Sequence, residues 1–380
     1  MKKLLFQKFL KDTFKFFIII CLSIGSIVWV IQAVGFLDFV TEDGHSLYVY
    51  FAYSFLNFPK LIHRILPFVF FISLFYQISQ YELKNELLIF WTNGVSKIKF
   101  INIVIVYSIV ISLFQIFLGS YLSPIGQNEA RSYIRNSNID FFPSLIKEGK
   151  FIDTVSNLTI FIESKDSFGN YKNIFLNDTL DTRKGIKAPK SQMIYAKKGI
   201  LINEKNNRYL ELSDGKLINN NNGIITNFKF DKIDFNLNKY DSHTTTYPKI
   251  QEAPSHDLIR CLYYDVKKKI KEFKAPYLRC TPNSLAIIKQ EFLKRFYKPI
   301  YFPLLALLSC LLVLKSKENE NYNSFKIYLF GIIFITLIIS EVSLRYATIN
   351  TFGIYFFMLF PILSFFTIYT YVTTKFSRNF

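Results

Sequence analysis

FFIIICLSIGSIVWVIQAVGFL, residues 16–37, runs through 22 positions without a charged side chain. A hydrocarbon core about 30 Å thick is crossed by about 20 residues of helix, so this stretch predicts a transmembrane span. It is too long for the apolar part of a secretory signal and lacks a small-residue cleavage site. Residues 100–128 and 347–374 are likewise uncharged. Three shorter runs, 65–81, 299–314 and 327–340, reach spanning length through flanking Lys, Arg or Glu whose charged ends extend to the headgroups. Six transmembrane helices result, and with 51% hydrophobic residues gathered in blocks the chain falls outside ordinary soluble domains.

The formal charge of +18 points to a membrane surface or anionic lipids and not to nucleic acid, because the basic residues lie beside apolar runs and along one central stretch. Lys2, Lys3, Lys8, Lys11 and Lys15 precede the first span, Lys84, Lys97 and Lys99 follow the second, and Lys315, Lys317 and Lys326 follow the fourth. Residues 38–59 carry Asp38, Glu42 and Asp43 with no Lys or Arg before Lys60. Short loops rich in Lys and Arg stay inside, so both termini are expected in the cytoplasm and the long insert outside it.

Within that insert, alternating runs such as NIFLNDTL, MIYAKKGILI and YLELSDGKLI are separated by turn clusters, Ser213-Asp214-Gly215 among them. The pattern predicts an antiparallel all-β domain of sandwich or jelly-roll type. Phe228, Phe230, Ile233 and Phe235 nearly alternate, giving an apolar face that serves either as core or as a lining for acyl chains. Two amphipathic helices follow, the first with Leu258, Leu262, Tyr263 and Val266 on one face, and the second running into the fourth span at Pro299. The expected parts are residues 1–128 with a short cytoplasmic helix at about 82–92, a β-domain at 129–250, a helical connection at 251–298, and spans four to six at 299–380.

No phosphate loop, dinucleotide fingerprint or C-x-x-C is present, and His45, His63, His243 and His256 are scattered. No cofactor, metal or catalytic centre is expected, so energy for work must come from another subunit. Cys261 and Cys280 lie in the expected extracytoplasmic part and either pair or remain thiols.

In order along the chain, FPKLIHRILP followed by YELKNELLIFWTNGVSKIKF, then LSPIGQNEARSYIR, EGKFIDTVSNLTIFIES, YLELSDGKLI and EFLKRFYKPI are similar to the motifs of the LptF/LptG family. These are permease subunits of the ABC transporter that extracts lipopolysaccharide from the bacterial inner membrane. The G-x-F strand followed by FIE, and Arg345, resemble LptF more than LptG. The resemblance implies an inner-membrane protein working with a second, LptG-like permease and an LptB-like dimer of cytoplasmic ATP-binding subunits. It further implies hand-off to LptC/LptA-like periplasmic β-jelly-roll proteins, with lipopolysaccharide as substrate among membrane lipids. A membrane-anchored sensor or assembly factor, or a permease for another lipid or for lipoproteins, are the competing readings.

The resemblance marks YELKNELLIFWTNGVSKIKF as an ATPase-coupling helix with Glu86 engaging the ATP-binding subunit. The residues themselves put Leu83, Leu87, Phe90 and Trp91 at helical spacing, with Glu82 and Glu86 along one edge, a left-handed stop at Asn93-Gly94 and a cap at Ser96. Arg64, Arg131, Arg135 and Arg295, with Lys60, Lys294 and Lys298, stand at the outer ends of spans. Each is either a lipid-phosphate ligand, for which the planar guanidinium fork of Arg suits best, or a headgroup anchor. Glu341 and Arg345, spaced i, i+4, either line a gate or cavity or form an internal ion pair.

Overall fold

The computed structural model describes residues 2–37, 40, 46–136, 148–155, 158–166, 170–180, 190–204, 207–221, 224–236, 249–268, 273–275, 278–348 and 351–377. Six helices among them are long and apolar enough to cross a membrane: Lys2–Gly35, Leu47–Leu83, Lys97–Ile134, Leu285–Leu314, Tyr322–Tyr346 and Phe352–Lys375, called spans 1 to 6. The chain divides into two compact units, residues 1–34, 52–132 and 247–380, and residues 35–51 and 133–246.

The first unit is helical. Its centre is built from spans 2 and 4, whose apolar windows are 61% and 72% buried, against 22% and 17% in spans 1 and 6. Leu66, Phe70, Leu74 and Ile78 of span 2 and Phe302, Leu304, Leu305 and Leu308 of span 4 lie in one continuous apolar cluster. Span 1, by contrast, turns Ile19, Leu22, Ile27 and Ile31 outward. Outward apolar side chains fit a helix surrounded by lipid tails or by another membrane helix.

Two stretches depart from α-geometry. Leu118–Leu122 in span 3 and Leu293–Tyr297 in span 4 are wide π-turns, and they pack against each other. Such turns recur at functional sites because they shift the face a helix presents. His63 fills the space over Gly119, where a Cβ would stand 2.5 Å from its Cε1, and its carbonyl accepts from Gln115 Nε2 at 2.8 Å.

The second unit holds the sheet. β1 (Phe151–Val155), β2 (Leu158–Lys165), β3 (Tyr171–Leu180), β4 (Lys190–Glu204), β5 (Asn207–Asn221) and β6 (Ile224–Asn236) form one antiparallel sheet in sequential order. The sequence suggested two facing sheets. The described strands instead make a single meander, since each strand pairs with the next in the chain.

Ser213-Asp214-Gly215 is not a hairpin turn but lies inside β5. From β2 to β6 the pairing skips one aligned row, Glu163, Asn173, Lys197, Asp214 and Asp231. Asn173 and Asp214 have φ of 48° and 55°, a left-handed backbone that reverses which face the following side chains occupy. The row is therefore a crease, and it accounts for the odd step between Phe230 and Ile233 that interrupts the alternation of β6. On both sides of the crease Leu176, Ile174, Ile194, Leu210, Leu212 and Phe235 share one core.

Gly215 sits beside the crease where a Cβ would meet the Phe230 ring at 2.2 Å and the Tyr195 carbonyl at 2.5 Å. Gly215→Ala should destabilise this unit by about 1–3 kcal/mol. Accelerated trypsin cleavage confined to residues 133–246 is the expected readout, and unaltered cleavage would refute the crease as a packing constraint.

Candidate functional site

Two polar regions stand at opposite ends of the helix Phe58–Leu83, the longer part of span 2. From Arg64 to Glu82 the helix rises about 27 Å at 1.5 Å per residue.

The first region follows Leu83. Asn85 takes φ of 58°, a conformation that Asn tolerates better than most residues, and this breaks span 2 from the short helix Glu86–Thr92. Leu87 and Phe90 are both only 1% exposed, whereas Leu88 and Ile89 are 56% and 47% exposed. The helix thus has a buried apolar face and an outward apolar face, with Glu86 at its start. Gly94 has φ of 70°, and Ser96 Oγ accepts from the Lys99 amide at 3.2 Å to start span 3. Trp91 is half-buried against Phe100, ring centres 5.9 Å apart.

Glu82 is not part of this helix, nor is Leu83, so Glu82 and Glu86 share no helical edge. The break at Lys84-Asn85 separates them. Glu82 accepts from the Lys317 amide at 2.9 Å, and Lys317 Nζ donates to the Leu83 carbonyl at 3.1 Å, so Glu82 anchors the connection between spans 4 and 5. Glu86 is paired with Lys8 of span 1 at 3.2 Å. Lys2 Nζ, also from span 1, donates to the Gly94 carbonyl at 3.0 Å.

At the other end, Lys60, Arg64 and Lys294 line one small cleft together with His63 and Glu291. The structure brings these three cations together, but Arg131 and Arg295 are engaged elsewhere. Both grip the segment Lys249–Ser255. Arg131 forks onto Glu252, with Nε and Nη2 each 2.6 Å from a carboxylate oxygen. Arg295 is 1% exposed; it pairs with Glu291 at 3.0 Å and donates to the Ala253 carbonyl, the Ser255 hydroxyl and the Gln251 carbonyl at 2.9, 2.9 and 2.8 Å. Ser255 Oγ in turn donates to the Ser120 carbonyl in the first π-turn at 2.7 Å. The side chain of Arg135 lies outside the described residues.

Glu341 does not pair with Arg345. Its partner is Lys298, which opens the 3-10 turn Lys298–Ile300 just after the π-turn of span 4 and is largely buried. Arg345 is exposed one turn further along span 5. The i, i+4 spacing permitted a pair within the helix, but the buried ammonium of Lys298 had greater need of a counter-charge.

The helix Ser255–Val266 turns Leu258 and Cys261 inward with Leu262 packed beside them, as its spacing suggested for the two leucines, but leaves Tyr263 and Val266 54% and 83% exposed. Cys261 is joined to Cys280 in a disulfide, and both lie in a small apolar cluster with Leu278 and Ile288.

Glu252 and the two π-turns carried no signal in the sequence, since Arg131 lies 121 positions from Glu252 and a π-turn is a local change of helical pitch; Glu291, four residues before Arg295 in EFLKRFYKPI, was marked by its motif.

These features define a multi-pass helical membrane protein with a β-unit inserted between its third and fourth spans. The family described as lipopolysaccharide export system permease LptF/LptG matches residues 8–375, and the chain belongs to that family of transport subunits. It is also similar to the uncharacterized protein RP871 of Rickettsia prowazekii (strain Madrid E), 27% identical over 284 residues that cover 70% of this chain and 74% of that protein.

Proposed function

We propose that this chain is an LptF-like permease half of an ABC transporter, which joins a sister permease and an ATP-hydrolysing dimer to lift lipopolysaccharide from the inner membrane. Glu86–Thr92 is the helix on which the ATP-hydrolysing subunit docks. The observation that carries this reading is the double-sided character of that helix: Leu87 and Phe90 fix it to the membrane unit, while Leu88 and Ile89 project outward beside Glu86. A connection that only returned the chain to the membrane would have no use for an exposed apolar pair on a rigid, capped helix. The Glu86–Lys8 pair does not oppose docking, because an exposed ion pair contributes only about 0.2–1 kcal/mol and its carboxylate is cheaply re-partnered.

Two independent arguments support the orientation. The lysines that crowd the short-helix end belong in the cytoplasm, and the Cys261–Cys280 disulfide belongs in an oxidising compartment. The β-unit then lies in the periplasm, where it passes the lipid to β-jelly-roll partners. Lys60, Arg64 and Lys294 offer a basic cleft for lipid phosphates, and Arg131 and Arg295 hold the segment beside it. Glu341 and Lys298, with Arg345 beyond them, border the substrate cavity. The G-x-F motif at residues 149–151, which leads into β1, and the cation at Arg345 support LptF over LptG.

Purification after mild detergent extraction tests the assembly. The chain should emerge with one ATP-binding protein and a second six-span permease; recovery only as a dimer of itself overturns the proposal.

A further inference from the structure

The short helix Glu86–Thr92 is joined to spans 2 and 3 by turns, at Asn85 with φ of 58° and Gly94 with φ of 70°. To span 1 it is joined by packing. Phe9, Phe90 and Phe100, from span 1, the short helix and span 3, are each 1% exposed or less. Their ring centres are 5.1 Å apart for Phe9 and Phe100, 5.6 Å for Phe90 and Phe100, and 6.5 Å for Phe9 and Phe90. Phe6 adds an edge-on contact to Phe90 at 5.2 Å, and Tyr81 one to Phe9 at 5.1 Å. Edge-to-face rings interlock, so one cannot slide without moving its neighbours. Around the rings lie two polar ties from span 1 that docking at Glu86 leaves in place: Lys2 to the Gly94 carbonyl, and Asp12, which accepts from the Tyr81 hydroxyl at 2.7 Å.

Along the rest of its length span 1 is held at fewer points, by Phe17 in the core, Phe16 stacked on Tyr76 at 4.4 Å, Gly25 against Ile62, and Trp29 Nε1 donating to the Ser54 carbonyl at 3.2 Å. Its apolar window is only 22% buried, where spans 2 and 4 form the centre of the unit. Span 6 is equally exposed, but it begins and ends far from the short helix in the chain and contributes none of these rings or ties. A helix gripped firmly at one end and lightly elsewhere follows whatever grips it.

We infer that span 1 and the short helix Glu86–Thr92 move as one lever, with Phe6 and Phe9 as positioning residues that deliver displacement of the short helix to the first span. The inference rests on the docking of an ATP-hydrolysing subunit at that helix and adds where the displacement goes. Packing bistability makes such a route effective, because close-packed rings transmit a shift and do not absorb it.

The test uses the whole transporter in lipid nanodiscs, with Cys21 and Cys310 replaced by Ala and spin labels on pairs of introduced cysteines. Leu4 and Ile89 are both exposed, at 67% and 47%, as is Ile327 of span 5, at 73%. On trapping the nucleotide with vanadate, the distance between labels at Leu4→Cys and Ile89→Cys should stay within the width of its distribution, while that between Ile89→Cys and Ile327→Cys shifts. A shift of the Leu4–Ile89 distance overturns the lever and leaves docking intact. No shift of either distance overturns docking and the lever with it. Phe9→Ala should broaden the Leu4–Ile89 distribution and lower lipid released per ATP; should that variant fold poorly, the peripheral Phe6→Ala serves, and an unbroadened distribution in the variant that folds removes the rings from the route.

Discussion

If Glu86 docks the ATP-hydrolysing subunit as proposed, replacing it by Lys should lower lipopolysaccharide released per ATP by about tenfold or more, equivalent to the loss of one charge-assisted contact of about 1.5–3 kcal/mol. The measurement is release from proteoliposomes alongside ATP hydrolysis by the same preparation. Two effects add. The substitution removes the carboxylate proposed to meet the ATP-hydrolysing subunit, and it sets a second ammonium beside Lys8, whose Nζ is 3.2 Å from the present carboxylate. The fold itself is spared, because Lys8 and Glu86 form an exposed pair of small worth and the helix is held by Leu87 and Phe90. Lys8→Ala separates the two effects. It breaks the pair but leaves the carboxylate, so coupling should remain close to that of the unaltered protein. Full coupling in Glu86→Lys would falsify the docking role.

Arg295→Met is the second large effect, and it falls on stability. Arg295 and Glu291 are 1% and 8% exposed. Their mutual attraction and the three further hydrogen bonds of the guanidinium offset the cost of taking both charges out of water. Removing the guanidinium leaves the Glu291 carboxylate with Lys294 at 3.5 Å as its remaining ion-pair partner. It also removes the guanidinium donor from the Ala253 carbonyl and leaves the Gln251 carbonyl with a long bond from Gln127 Nε2 at 3.5 Å. A buried pair broken from one side costs about 3–5 kcal/mol. The thermal midpoint of the detergent-solubilised protein, followed by gel filtration after heating, should fall steeply, with Arg295→Lys in between because an ammonium restores the charge without the fork. An unshifted midpoint for Arg295→Met would show that the segment Lys249–Ser255 is held by other means. Arg131→Met is milder, since Glu252 keeps its bond from the Lys249 amide at 3.0 Å.

The six spans were legible because a membrane demands one property, length of apolar helix, that a sequence displays directly. The stop at Gly94 and the cap at Ser96 were legible for a related reason: a left-handed glycine and a serine cap act within a few residues of themselves. The extent of the short helix was less so. ELKN reads as helical by propensity, and the break at Asn85 follows from Glu82 being drawn to Lys317, which lies 235 positions along the chain.

The β-unit divides the same way. Its strands were visible as alternating runs, and the phase slip at Phe230 to Ile233 was visible as an irregularity. Its meaning was not. A slip in one strand looks like a turn or an error, and only when five strands are laid side by side does it become a row that bends the sheet.

By itself, then, the sequence determined what local chemistry determines: the number of spans, the β-character of the insert, the stops and caps of the short helix, and membership in a family whose motifs are short and ordered along the chain. The tertiary structure decided which charges meet. Glu341 takes Lys298 and not Arg345, Glu82 takes the Lys317 amide, and Arg131 and Arg295 close on one segment from two different helices. The physical reason is that burying a charge is costly enough to select its partner from anywhere in the fold, and spacing along one helix cannot reveal that choice.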